Sequence, residues 1–140
     1  MSSGVIVGYD GSEWSKAALR VGLEVAKAYN EKVVIAFGYD LNPVAGEIRD
    51  YQAALRELAD QRLTEALKMA EESGDEVEAT IVERSPADAL VALATERDAR
   101  LIVIGTRGEG PIRGALLGST AHKLLHLADR PVLVVPAPAK

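Results

Sequence analysis

No cysteine occurs among the 140 residues, which excludes disulfides and thiolate metal sites and agrees with a reducing compartment. No apolar run approaches the roughly 20 residues that a membrane-spanning helix needs. Met1-Ser2-Ser3-Gly4 has no charged leader and no cleavage site, and it runs straight into a strand-like segment. The expected location is therefore the cytoplasm, with no membrane partner. There is no basic excess either. The net charge is −5, against the positive face that general nucleic-acid binding requires to displace counterions, although one local anion site remains compatible with it. What is present reads as globular: 48% of residues are hydrophobic and 26% charged, with both signs interspersed. This length fits a single domain, 1–140, with one sizeable core.

Apolar β-branched runs alternate with helical patterns. The runs are Val5-Ile6-Val7, Val33 to Phe37, Val77 to Val82, Leu101 to Ile104 and Val132 to Val135. Four are continuously apolar, as strands buried on both faces should be. The third alternates, with Val77, Ala79 and Ile81 against Glu78 and Thr80, and so reads as an edge strand. Helical spacing links Ala17, Ala18, Val21, Val25, Ala26 and Tyr29, then Ile48, Leu55, Leu58, Leu67 and Ala70. Ser85-Pro86-Ala87-Asp88 reads as a capping box that opens a third helix, and a fourth is expected from about Gly118 to Leu127. Five strands alternating with four helices predict an α/β fold. Its form is a doubly wound, Rossmann-like parallel sheet with helices on both faces.

Chemistry concentrates where the fourth strand stops. Gly105-Thr106-Arg107-Gly108 is followed, nine residues on, by Gly118-Ser119-Thr120 at a helix start. A strand, a glycine-rich loop and a helix N-terminus make an anion site: glycine lets backbone approach an oxygen, and first-turn amides with the helix dipole attract negative charge. Ser119 and Thr120 add hydroxyl donors and Arg107 a charge-assisted one. If the first and fourth strands are neighbours, Tyr9-Asp10-Gly11 faces this loop across the crevice where doubly wound sheets take ligands. Asp10 could then accept from ribose hydroxyls or help order a metal. Gly38, closing the second strand, would leave room for a base.

Other motifs fail. A P-loop requires Gly-Lys-Ser/Thr, and no lysine follows Gly118. The dinucleotide fingerprint requires a third glycine where Arg113 stands, Gly114 coming one residue late. His122 and His126 share a helix face, but no HExxH signature or third ligand accompanies them, so they read as surface histidines and no metal site is expected. Ser12 lacks a nucleophile elbow, and no catalytic residue is assigned. Bland readings stand beside the sharp ones. Gly105 and Gly108 would also suit a tight turn, Asp10 would also suit a helix cap with Ser12, and Arg107 a solvated loop position. Trp14 reads as a packing residue near the start of the first helix.

Three segments together, Val5-Ile6-Val7-Gly8-Tyr9-Asp10-Gly11-Ser12, Gly105-x-x-Gly108-(nine residues)-Gly118-Ser119-Thr120, and Arg130-Pro131-Val132-Leu133-Val134-Val135-Pro136, resemble the universal stress protein family over nearly the whole chain. The spaced glycines resemble its ATP-binding branch. The resemblance implies strand order 3-2-1-4-5, with Asp10, Gly8 and the segment around Gly38 at the adenosine. Gly105, Thr106, Arg107, Gly108, Gly118, Ser119 and Thr120 would serve the phosphates. It further implies a homodimer through the last strand, Val132 to Val135, whose apolar edge would otherwise be exposed.

The expected function is an ATP-binding stress-response or signalling domain, with Mg²⁺ accompanying the nucleotide and hydrolysis slow or absent. An unidentified downstream protein would read its state. Two rivals share the scaffold: an ATPase or a phosphoryl or nucleotidyl transferase, and an interaction module without a nucleotide. Adenylating relatives of this fold carry a Ser-Gly-Gly-x-Asp-Ser type loop, which Tyr9-Asp10-Gly11-Ser12 is not, and the intact glycine spacing counts against the module.

Overall fold

A computed structural model describes residues 4–39, 48–74, 76–107 and 117–137. The elements follow in strict alternation: β1 (Val5–Gly8), α1 (Glu13–Tyr29), β2 (Val33–Gly38), α2 (Ile48–Glu71), β3 (Val77–Val82), α3 (Pro86–Arg97), β4 (Leu101–Gly105), α4 (Ser119–Leu127) and β5 (Val132–Val135). The strands form one sheet, ordered β3-β2-β1-β4-β5, in which every adjacent pair is parallel. The doubly wound sheet expected from the apolar alternation is the one observed, in the order implied by the resemblance.

Side-chain parity divides the core into two layers. Val5, Val7, Val33, Ile35, Phe37 and Val103 point to one face, against α1 and α2. Ile6, Val34, Ala36, Ile102 and Ile104 point to the other, against α3 and α4. Strands that are buried on both faces have no polar side to show, which explains the continuous apolar runs. The alternating third run behaves differently: β3 lies at one edge and each of its residues is only partly buried. β5 lies at the other edge, where Leu133 remains 37% exposed.

Local chemistry sets the helix ends. Ser12 is the N-cap of α1; its hydroxyl oxygen accepts from the Ser15 amide at 3.2 Å. Asn30 ends α1 in the left-handed conformation (φ 56°), returning its amide to the Ala26 and Lys27 carbonyls. Asp98 (φ 50°) does the same after α3. The start of α3 departs from the capping box that its sequence suggests. The Ser85 hydroxyl donates to Asp88 Oδ2 at 2.8 Å and makes no bond to a first-turn amide. The two side chains satisfy one another instead, while Pro86 supplies the pre-set φ of a helix start.

Candidate nucleotide site at the β1/β4 crossover

β1 and β4 are neighbours, yet the chain leaves them in opposite directions, from β1 to α1 on one face and from β4 towards α4 on the other. Between the two exits lies a cavity of about 310 Å³, the lower end of the range typical for small-molecule sites. Its lining includes Gly8 and Asp10 from β1 and its exit, Gly38 from β2, Gly105 and Arg107 from β4 and its exit, and Gly118, Ser119 and Thr120 from the start of α4. The structure thus brings together every described residue named from the sequence except Thr106. Gly108 lies outside the described residues, as do Glu109, Arg113 and most of the Asn42 to Tyr51 segment.

Thr106 acts behind the lining. Its amide donates to the Val135 carbonyl at 3.0 Å and its carbonyl accepts from the Gly118 amide at 2.6 Å. The second bond fastens the glycine-rich loop where it leaves β4 and where it enters α4. Gly118 takes an extended conformation (φ −72°, ψ 168°) and, having no side chain, leaves the first turn of α4 without a side-chain cap. The residues of that first turn, Ser119, Thr120 and Ala121, line the same cavity as Arg107, and a helix start with uncapped amides beside a guanidinium is the kind of donor set an anion calls for.

Ser12, and not Asp10, caps α1. Asp10 accepts from the Ser12 amide at 3.0 Å through Oδ1, which tightens the turn and fixes the carboxylate at the cavity wall. Gly105 also has a structural reason to be glycine: a β-carbon there would stand 2.6 Å from Trp14 Cβ and 2.7 Å from its carbonyl carbon. The first turn of α1 rests directly on the end of β4, so Trp14 is the packing residue its position suggested. Gly38 is similarly pressed, with Pro86 Cα at 3.0 Å and Ala89 Cβ at 2.8 Å from where a β-carbon would be. His122 and His126 face each other on α4 with ring centroids 5.0 Å apart. Among the described residues no group of three potential ligands exists to complete a metal site.

The apolar part of the lining was missed from the sequence. Ala36, Pro86, Leu90, Ile104 and Ala121 line the walls beside Tyr9, and Ser15 adds a hydroxyl. Part of this was recoverable: Ala36 and Ile104 share strand parity with Ile6 and Val34, so they must face the α3/α4 side on which the cavity opens. Pro86 and Leu90 are one helical turn apart, at the beginning of a helix that starts from the same end of the sheet.

Tyr9, next to Asp10, is only 3% exposed, and its hydroxyl donates to Glu65 Oε1 of α2 at 2.8 Å. Burial, reinforced by that bond to an anionic acceptor, pushes its ionisation well above the ordinary tyrosine range.

Comparison with known proteins agrees with this geometry. The family model described as the universal stress protein family matches residues 1–136, and the chain belongs to that family, whose members are stress-response proteins. A universal stress protein of Methanocaldococcus jannaschii is 32% identical over 141 residues, covering 97% of this chain and 83% of its own. A crystal structure of a universal stress protein in complex with cAMP superposes with a TM-score of 0.76 at 33% identity, covering 96% of this chain and 97% of that one. The universal stress protein from Archaeoglobus fulgidus in complex with dAMP gives 0.70 at 25% identity, covering 94% and 95%. Among the described residues, no helix is long and apolar enough to cross a membrane.

The raised ionisation of Tyr9 has a measurable consequence. The unfolded chain loses that proton near the ordinary tyrosine value of about 10, whereas the folded chain keeps it. Stability from this group is thus complete below about pH 10 and is lost as pH climbs further. Tyr9→Phe should start about 1 kcal/mol less stable, for the lost hydrogen bond, and then decline less steeply with alkaline pH. Urea unfolding of both proteins on either side of that pH checks this; parallel declines would show that Tyr9 ionises as freely as an exposed tyrosine.

Proposed function

We propose that this universal stress protein is a single nucleotide-binding domain that takes ATP, with Mg²⁺, as a signal in the cytoplasm and hydrolyses it slowly or not at all. The observation that carries the reading is the uncapped start of α4 facing a cavity shared with Arg107 and Asp10. The order of strands arranges the parts: Gly38 on β2 and Pro86 and Leu90 of α3 form an apolar slot suited to a base. Gly8 at the end of central β1 and Asp10 in the turn after it meet the ribose. Gly105, Arg107, Gly118, Ser119 and Thr120 beside β4 receive the phosphates. Thr106 fastens the loop, and Gly108 joins the phosphate cradle by its spacing in the sequence. The complexes of two solved relatives with cAMP and dAMP support an adenine nucleotide. Mg²⁺ offsets phosphate charge that one guanidinium leaves in excess.

Slow chemistry follows from what the described lining contains. It offers one guanidinium, no lysine, and a single carboxylate, Asp10, which this reading assigns to the ribose. Phosphoryl transfer to water needs a group to position the attacking water and charge that grows more effective in the transition state. A site that grips the ground state without these holds ATP and leaves it whole. Such a site suits a switch whose loop is read by a partner protein.

The edge strand β5 supports a second part of the reading. Leu133 is exposed on an unpaired, apolar edge, and two copies joined about a twofold axis through Val132–Val135 would cover it.

Calorimetry should show Mg²⁺-dependent ATP binding that outcompetes cAMP and dAMP; tighter binding of cAMP would make the protein a monophosphate reader instead. Gly118→Val keeps an extended backbone that valine readily adopts, while placing branched methyls at the phosphates. It should abolish binding with the fold intact, and unchanged affinity would remove the loop from the site. In single-turnover assays with protein in excess, much less than about one ATP per minute should be cleaved, far below the median enzyme rate of about 10 per second; a rate near that median would establish the enzyme reading. Sedimentation should find a dimer that Leu133→Lys shifts toward monomer. A wild-type monomer at tens of micromolar would refute the β5 interface.

A further inference from the structure

The turn that carries Asp10 is held from behind by α2. On one side of Asp10, the Tyr9 hydroxyl donates to Glu65 Oε1 at 2.8 Å. On the other side, Gly11 takes a positive φ of 89°, and a β-carbon there would stand 2.6 to 2.9 Å from Cδ, Nε and Cζ of Arg62. The Arg62 side chain therefore lies flat against the turn at a distance only glycine allows. Arg62 and Glu65 are one helical turn apart and paired, with Nη1 3.6 Å from Oε2. The two α2 side chains thus form one unit that touches both residues flanking Asp10.

Glu65 serves the core by satisfying the buried Tyr9 hydroxyl, but neither Arg62 nor the ion pair is needed to build it. Arg62 and Glu65 are each about a third exposed, and α2 already has Ala59, Leu63, Ala66 and Ala70 to bury against the sheet. Exposed i, i+3 ion pairs contribute little to stability. Their geometric effect is larger: the Ser12 amide holds one carboxylate oxygen of Asp10 within the turn, and contact on both flanks holds the turn itself. A hydrogen bond to a ligand is weakened severely by misplacement on the order of 1 Å, so the clamp bears on whatever Asp10 recognises.

We propose that Arg62 and Glu65 are positioning residues that aim the Asp10 carboxylate at the ribose hydroxyls of the bound nucleotide. The inference rests on the nucleotide reading above and adds to it a dependence of sugar recognition on α2. In the bound state Asp10 accepts from the ribose while Ser12 N–H, Glu65 and Arg62 keep its turn from moving. Tyr9 remains protonated throughout the neutral range, so its bond to Glu65 is a permanent donor–acceptor pair.

The test compares ATP with 2′,3′-dideoxy-ATP, which lacks both ribose hydroxyls, by calorimetry on the full chain. Wild type should prefer ATP by about tenfold or more, the worth of one or two hydrogen bonds to a charged acceptor. Asp10→Ala should erase that preference. Arg62→Ala and Tyr9→Phe should each reduce it severalfold while leaving the affinity for dideoxy-ATP as it was, a pattern that general loosening of the fold does not give. Glu65→Gln retains an acceptor for Tyr9 and should keep most of the preference. Thermal melts of the same variants confirm folding, and Tyr9→Phe covers the case in which Arg62→Ala does not fold. An undiminished preference in Arg62→Ala and Tyr9→Phe overturns the positioning role while the nucleotide site stands, and so does a parallel loss for both ligands. Equal binding of the two nucleotides by wild type overturns it at the sugar. Failure of wild type to bind either removes the nucleotide reading itself.

Discussion

Two neighbouring strands, β1 and β4, hand the chain to opposite faces of the sheet, and almost everything of functional interest follows from that divergence. Parallel strands must be joined by crossovers, and a right-handed crossover puts its helix on a face fixed by the direction of travel. From β1 the chain proceeds outward through β2 to β3, then returns to β4 and proceeds outward the other way to β5. Helices on the two journeys fall on different faces, and the cavity lies between the first strands of each journey. The cavity is thus a product of topology before it is one of side chains. Side chains decide only what it accepts.

Close packing and the lining of the cavity make demands on the same few residues. Gly105 borders the cavity, yet its lack of a β-carbon is already required by Trp14 of α1. Gly38 borders it too and is required by the start of α3. The helices could not sit so near the carboxyl ends of the strands with larger residues there, and their approach in turn gives the site its depth and its positive helix ends. Reading such glycines as either structural or functional sets up a false choice. A substitution at Gly105 would strike packing first. Gly118 differs in kind: its backbone is in an ordinary extended conformation that any residue adopts.

The architecture was legible because most strands declare their environment by pattern: β1, β2 and β4 are apolar at every position and lie inside the sheet, and β3 alternates and lies at an edge. β5 is the exception, as continuously apolar as the inner strands yet placed at the other edge with Leu133 exposed. The polar half of the site was legible for a different reason. Gly118-Ser119-Thr120 and Tyr9-Asp10 adjoin strand ends, and strand ends of one parallel sheet meet. Leu90, Ser15 and Ala121 were not, because an apolar wall looks like core until the void beside it is seen. Arg62 and Glu65 were further out of reach. They stand more than 50 positions from the turn they touch, on a helix whose polar face gives no sign of which charges meet another segment. The capping role assigned to Ser85 and Asp88 failed for the opposite reason: the pattern was right, but the two side chains found each other before either found the backbone.

The short bond from the Gly118 amide to the Thr106 carbonyl joins the exit of β4 to the entry of α4 directly, backbone to backbone. The entropy of closing a chain between two joined points rises only with the logarithm of its length, about 0.6 kcal/mol for each doubling. A clasp of this kind therefore makes the cost of linking β4 to α4 nearly independent of how many residues the link contains. The strand end and the helix start are registered against each other by one hydrogen bond, and the length of the intervening sequence becomes a nearly free variable of the scaffold.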